Sequence, residues 1–500
     1  MTVEAPPAAY HPVVLEAVET VEAVASQVAG APEDVFPRRW VGLAAILAAT
    51  LLNLLDGTVS IIAAPSIQSD LGGSATTLQW IAAGYLLALA VGLLVGGRLG
   101  DIYGRKQMFM VGVAGFLAAS LGCAAAWSPE SLIGARAVQG AFAALMVPQC
   151  FGLIRDMFGK DMGKAYAAFG PAIGLATIAG PVVGGLLIEA DLAGLGWRAI
   201  FAINLPLGAV AAVVGAKVLP KFAPTARGER LDGVGAAIAG AGMFLLVYPL
   251  VAGRELGWPT WTLVALAASV PVFAAFVIHQ RRRTASGRTG LVELSVFAKR
   301  SYVSGVVFVV AFFGSCVGFG LAVGMYLQLG LHMSAIDASL AQVTMPIGAF
   351  IGTAVGATLM TKLGRAILHI GLAVMIVGLV GLLAVFASAE GAIGFAELSI
   401  PLFGYGAGMG MIFIPLYDII VADLADHEVG SASGILESFQ QLGASLGIAV
   451  LGTVFFSIVG TNLTSFVDAA QVVTVLTIAL TATAFGIAFW LPKKAKAQEW

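Results

Sequence analysis

Gly96-Gly97-Arg98-Leu99-Gly100-Asp101-Ile102-Tyr103-Gly104-Arg105-Lys106 is a charged, glycine-rich stretch flanked on both sides by runs of about 20 apolar residues. A run of that length spans a hydrocarbon core of roughly 30 Å as a helix, and a short polar segment between two such runs reads as the turn of a membrane hairpin. Working outward from it, the apolar runs recur near 40–65, 78–98, 107–127, 130–154, 163–189, 198–219, 231–252, 261–280, 302–329, 336–361, 366–388, 395–421, 430–458 and 471–491. The chain thus reads as an all-α polytopic membrane protein with 14 helices. Composition agrees: of 500 residues 59% are hydrophobic and only 11% charged, where a soluble protein carries roughly 25% charge.

An even number of crossings leaves both termini on one side, and charge says which. Twenty-three of the 26 Lys and Arg fall in the loops and tails on the side of the termini, against Arg198 and Arg254 opposite and Arg136 within a helix. Cytoplasmic loops carry such an excess, so both termini are expected in the cytoplasm of a bacterial cell, with the protein multi-pass in its inner membrane. Residues 1–37 lack a signal-peptide core and read as an acidic, disordered cytoplasmic tail, with a weak amphipathic helix as the alternative.

The hairpin sequence also recurs. Leu99, Gly104 and Arg105 are matched by Leu359, Gly364 and Arg365, 260 residues later, so the chain is internally duplicated. Duplicated halves are a transporter design, with a solute site between them at mid-membrane. The expected organisation is a tail over 1–37, a six-helix bundle over 38–220, two inserted helices with their loops over 221–300, a second six-helix bundle over 301–491 and a cytoplasmic tail over 492–500. The inserted pair is read as lying off the solute pathway.

Several function classes drop out. A net charge of -2 with no basic domain gives no nucleic-acid partner. Cys123, Cys150 and Cys316 sit inside apolar runs as small hydrophobes, so no metal is expected. Gly443-Ala444-Ser445-Leu446-Gly447 fits a hydrolase elbow pattern but lacks the strand and the Asp/His partners that chemistry needs. With five scattered His and no phosphate-cradling loop, neither an enzyme nor a direct ATP motor is expected.

Charged residues inside the apolar runs carry the functional reading. A carboxylate at the centre of a membrane helix costs ~2.5–3.5 kcal/mol on insertion scales, and Asp56 is such a residue. At ~1.5 Å per residue it sits about 24 Å from the cytoplasmic face, and Arg136 about 9 Å below the opposite face, so the two share a depth. Burial disfavours a charged carboxyl and a nearby guanidinium favours it, so a changing Asp56–Arg136 relation would load and release a proton. The plainer alternative is a static pair joining the first and fourth helices.

In the second half Asp418 and Glu437 flank a hairpin that would bring two carboxylates to similar depth, a second proton site or a lure for a cationic solute. The acidic loop with Asp423, Asp426, His427 and Glu428 faces a basic side, and its expected partner is the Arg105-Lys106 turn, a latch between the halves. Gly97, Asp101, Gly104 and Arg105 would shape that turn. Gly170, Pro171, Gly174, Gly180, Pro181 and Gly184 on the fifth helix offer a hinge or a seal against the other half, or ordinary close packing. For the solute cavity the candidates are Phe312, Phe313, Phe319 and Tyr326 on the ninth helix, Met409 and Met411 on the twelfth, and Phe439, Gln440 and Gln441 on the thirteenth, a set suited to lipophilic ligands.

The 96–106 spacing resembles the signature loop of the major facilitator superfamily. Leu55-Asp56-Gly57-Thr58-Val59 with Pro65, Arg136 with Gln139-Gly140, Gly170-Pro171 through Gly180-Pro181 to Gly184-Gly185, and Trp197-Arg198 through Asn204-Leu205-Pro206 look like successive motifs of its fourteen-helix drug:proton antiporter branch. The resemblance runs from residue 40 to about 455. It implies the major facilitator fold, two six-helix bundles plus two inserted helices, and a monomer that needs no cofactor beyond a proton gradient. It also implies a proton-coupled exporter of lipophilic, in part cationic, small molecules by alternating access. The alternative within transport is a dedicated exporter of one endogenous product, such as an antibiotic, siderophore or lipid.

Overall fold

The computed structural model describes residues 36–494 apart from 225, 227, 389–392 and 460–464; the side chains of 160, 162, 163, 166–177, 426, 427 and 430 also lie outside the description. The readings of the 1–37 tail, of Gly170, Pro171 and Gly174, and of the Asp426 and His427 side chains therefore fall beyond the described residues, save for residues 36 and 37.

Thirteen helices among the described residues are long and apolar enough to cross a membrane: α1 (Arg39–Leu71), α2 (Ala75–Tyr103), α3 (Arg105–Ala124), α4 (Pro129–Phe158), α6 (Gly196–Val218), α7 (Gly233–Ala252), α8 (Thr260–Ala285), α9 (Arg300–Gly330), α10 (Ala335–Leu363), α11 (Ala366–Ser388), α12 (Phe395–Ile420), α13 (Asp426–Val459) and α14 (Ser465–Ala488). α5 (Met162–Glu189), 28 residues long, completes fourteen helices of spanning length. With backbone polar groups paired inside each helix, this is how such a chain satisfies its amides in lipid.

Most helices extend past the apolar runs, because polar residues at their ends still pair within the last turns. Ser74 and Ser128 cap α2 and α4, each hydroxyl accepting the backbone N–H three residues on. The stretch 96–106 is a correction to the loop expected there: α2 stays helical to Tyr103, α3 begins at Arg105, and Gly104 alone makes the turn. Its φ of +100° is one that side-chain-bearing residues rarely adopt. The companion turn uses Gly364 at φ +53°.

The helices pack as two sets. α2 lies against α4, α4 against α3, and α1 against α5 and α6; in the second set α10 lies against α12, α9 against α13 and α14, and α11 against α12 and α14. The two sets meet along α2 with α13 and along α5 with α10. Several hydrogen bonds cross this seam: Ser438 Oγ to the Ala90 carbonyl at 2.6 Å, Ser445 Oγ to the Ala83 carbonyl at 3.2 Å, and Gln328 Nε2 to the Ile62 carbonyl at 3.1 Å. Ser445–Ala83 and Gln328–Ile62 lie between mid-span and the end of the molecule opposite the termini, the far end, whereas Ser438–Ala90 lies just to the termini side of mid-span. Among the described residues no ion pair joins the two sets.

The inserted pair is placed against both sets. α7 packs on α2 and on α13, with Trp80 of α2 beside Tyr248 at a ring separation of 5.7 Å. At the far end Arg254 donates to the Phe456 carbonyl at 2.8 Å and Thr453 to the Leu250 carbonyl at 2.8 Å. α8 packs on α7 and is largely exposed to the surrounding apolar medium.

Candidate functional site

Asp56 on α1 and Arg136 on α4 meet in the far half of the first set, with 2% and 1% of their surfaces exposed. Charges this deep need full compensation, and the neighbouring helices supply it. Arg136 Nη1 donates to Asp56 Oδ2. Its Nε donates to the Ile81 carbonyl of α2 at 3.3 Å, and Nη1 also reaches Gln139 Oε1 at 2.6 Å. The guanidinium lies over the Tyr85 ring with 4.2 Å to the centroid, and the Tyr85 hydroxyl in turn donates to Asn53 Oδ1.

The second carboxylate oxygen is held by two amides. Gln139 Nε2 and Asn204 Nδ2 each donate to Asp56 Oδ1 at 2.8 Å. Each then spends its other N–H on Ser120 Oγ, at 2.8 Å and 3.2 Å. Asp56, Gln139, Ser120 and Asn204 thereby close a ring of hydrogen bonds spanning α1, α4, α3 and α6. Sequence reasoning located Asp56 and Arg136 from their charge and from the motifs that carry them. It quoted Gln139 and Asn204 only as motif residues and did not single out Ser120, because neutral side chains in an apolar run look like tolerated polarity until their partners are seen.

In the second half Asp418 and Glu437 are half-buried. The reading that the α12–α13 hairpin brings them together is corrected: the two helices pack on other partners, and near these carboxylates they meet through Tyr417, whose hydroxyl donates to Gln440 Oε1. No hydrogen bond or ion pair is recorded for either carboxylate among the described residues. Glu437 lies near Tyr417 and, across the seam, near Cys150 of α4. It is an acidic side chain placed between the halves.

Neither Arg105 nor Glu428 makes the expected latch. Arg105 instead binds Asp156 of its own half through Nη1, at 2.6 Å and 2.7 Å to the two carboxylate oxygens, and contacts Asp101 at 3.4 Å. Glu428 accepts from Lys299 Nζ and Ser295 Oγ, each at 2.7 Å, within the second half. Those hydrogen bonds, with one from the Ala425 N–H, hold its carboxyl down at about 2. Arg105 and Glu428 each found a nearer partner on their own bundle.

Small residues also settle differently from expectation. A Cβ added at Gly97 would meet ordinary contact, whereas at Gly96 it would fall 2.0 Å from the Ala144 carbonyl oxygen of α4 and at Gly100 1.9 Å from Gln149 Oε1, so Gly96 and Gly100 are the close-approach glycines of the stretch. Gly180 and Gly184 face Thr58 and Val59 of α1 within their own half, and Pro181 lies beside them. The glycine turned to the other half is Gly185, whose Cβ would lie 2.8 Å from Ile336 Cα on α10.

Of the cavity candidates, Phe312, Phe319 and Tyr326 are at most 1% exposed and are spent on packing: Phe312 on Phe308, Phe319 on Tyr405 and Tyr326 on Phe386. Phe313 packs on Phe413, and Met409 and Met411 are buried in α12. Phe439, Gln440 and Gln441 remain half-buried on α13.

Two duplicated helix sets with a buried carboxylate–guanidinium pair in one and an acidic side chain, Glu437, at their seam define a membrane transporter. The family model of the Major Facilitator Superfamily matches residues 46–231 and 222–448, and the chain belongs to that family. A probable actinorhodin transporter of Streptomyces coelicolor is 45% identical over 87% of this chain and 75% of its own length. The tetracenomycin C resistance and export protein of Streptomyces glaucescens is 34% identical over 85% and 77%, and the multidrug efflux pump LfrA of Mycolicibacterium smegmatis 30% over 85% and 82%. Among solved structures, a peptide transporter of the POT family superposes with a TM-score of 0.64 at 16% identity, covering 92% of this chain and 97% of its own. The chain is an efflux transporter of small molecules and not an enzyme.

Proposed function

We propose that this chain exports lipophilic small molecules in exchange for protons, by alternating access between its two six-helix halves. The observation that carries the reading is Asp56, an acid kept in the apolar interior beside a single guanidinium, since such a group persists where a proton must be bound and released. The end carrying the termini is cytoplasmic, in a bacterial inner membrane, on the strength of its Lys/Arg excess. Hydrogen bonds across the seam at the far end then correspond to a state closed to the outside. An outside proton neutralises Asp56, the halves exchange access, and Glu437 at the seam attracts a cationic solute or carries a second proton. Phe439, Gln440 and Gln441 line the solute path beside it. The protein works as a monomer and takes no cofactor.

A second reading is favoured by the relatives' names. The Streptomyces proteins at 34–45% identity are each named for one compound, whereas the multidrug pump stands at 30%. A dedicated exporter of one endogenous antibiotic fits that order. Expression in a pump-deficient host with a panel of cationic, neutral and acidic lipophilic compounds separates the two: export of many classes, abolished by a protonophore, supports the broad pump. Export of a single class supports the dedicated one, and export insensitive to the protonophore overturns proton coupling.

A further inference from the structure

We propose that Asn204 is the positioning residue that holds Asp56 in its proton-free form, and that proton uptake at Asp56 undoes the buried mid-span tie by which the Asn204 side chain joins α6 to α1. The inference rests on Asp56 being the proton carrier and goes on to name how the carrier is set. Every group hydrogen-bonded to the Asp56 carboxylate is a donor: Arg136 Nη1, Gln139 Nε2 and Asn204 Nδ2. A carboxylic acid must itself donate, and in this cage its O–H has nothing to donate to. Gln139 Oε1, the nearest candidate, is already held by Arg136 Nη1 at 2.6 Å and by the Cys123 thiol at 3.6 Å. Protonation therefore breaks a member of the cage.

Asn204 is the member that yields. Arg136 and Gln139 sit one turn apart on α4 and brace each other, and Arg136 is anchored on the Ile81 carbonyl as well. The Asn204 amide spends its two recorded side-chain hydrogen bonds on Asp56 and Ser120. It is 2% exposed, and it is the one residue of the ring carried by α6. When it lets go, α6 loses its buried mid-span tie to α1 and α3 and stays joined to them near its ends, through Trp197 and Arg198 to Asp70 and through Lys106 to the Ala216 carbonyl, while the α4 side of the cage stands. The titratable groups facing the site are Arg136 from α4, Tyr85 from α2 and Cys123 from α3; among the described residues α5 and α6 add none.

The test uses the full chain in lipid nanodiscs and dicyclohexylcarbodiimide, which modifies protonated carboxyls in apolar surroundings, with the modified Asp56 peptide quantified by mass spectrometry across pH. A hydrogen bond to a charged group is worth enough to move a titration by about one to two pH units. Asn204→Leu is expected to shift the midpoint of Asp56 modification to higher pH by that amount, and Ser120→Ala, which frees both amides to turn, to shift it less in the same direction. A purely structural Asn204 lowers thermal stability without moving the midpoint. If both variants titrate with wild type, the inference is overturned; should Asn204→Leu not fold, Ser120→Ala decides alone. Substrate-evoked proton flux in Asp56→Asn is measured in parallel. Flux retained there removes Asp56 as carrier and this inference with it, whereas flux lost there with unshifted midpoints removes only the inference.

Discussion

The Asp56 carboxylate and the Arg136 guanidinium form an ion pair in which neither residue is more than 2% exposed, and every recorded hydrogen bond of the pair is made inside the first helix set. Removing one partner of such a pair leaves an uncompensated charge in an apolar interior, which costs ~3–5 kcal/mol. Arg136→Met alone is expected to lower thermal stability strongly in detergent, and the double variant Asp56→Asn/Arg136→Met to recover most of the loss. A double variant no more stable than Arg136→Met would contradict the pairing.

At the seam, Gly185 allows α5 to lie against the backbone of α10, with Ile336 Cα 2.8 Å and the Ala335 carbonyl 2.9 Å from where a Cβ would stand. Backbone cannot move aside locally, so Gly185→Val should prise the halves apart at the far end. Spin labels at Ser69 and Met333 are expected to report longer distances in the variant, whereas Gly180→Val, which presses on Thr58 of its own half, should leave that distance unchanged.

Gly104 turns the chain at φ +100°, where a side chain costs ~1–2 kcal/mol. Gly104→Ala is expected to destabilise by about that much and to weaken transport by displacing Arg105 from Asp156. Suppression by lowering temperature would be consistent with this strain; an unaltered melting curve would not.

Glu428 is held at about 2, first by Lys299, then by Ser295 and the Ala425 N–H, against roughly 4.3 for a free glutamate. A depressed acid stabilises the fold fully above the unfolded value and loses that contribution as pH falls through the folded one. The stability difference between wild type and Lys299→Met should therefore be constant from about pH 8 to about pH 5 and shrink between about pH 4 and about pH 2. A difference that already changes near neutrality would exclude this bracket as its source.

The fold was legible because membrane helices announce themselves by length and apolarity, and the 260-residue recurrence of Leu99, Gly104 and Arg105 at Leu359, Gly364 and Arg365 marks the duplication. Asp56 and Arg136 were legible because charge in lipid is expensive. The ring around them was not, since Ser120, Gln139 and Asn204 lie on three helices and nothing in their spacing says that they converge. The latch between Glu428 and Arg105 failed for a related reason: charge sign says who can pair, while Asp156 and Lys299 sit nearer. Phe312, Phe319 and Tyr326 were read as cavity lining from chemistry that serves a packed bundle equally well.

The account turns on Asp56 as the carrier of the transported proton. Purified protein in sealed vesicles, challenged with lipophilic cations and neutral drugs while proton release is followed by a pH-sensitive dye, tests it most directly. Substrate-evoked proton flux in wild type that vanishes in Asp56→Asn, with the variant still folded and still binding substrate, is the predicted result. Coupled flux of wild-type size in Asp56→Asn would contradict it and move the proton to Glu437 or Asp418.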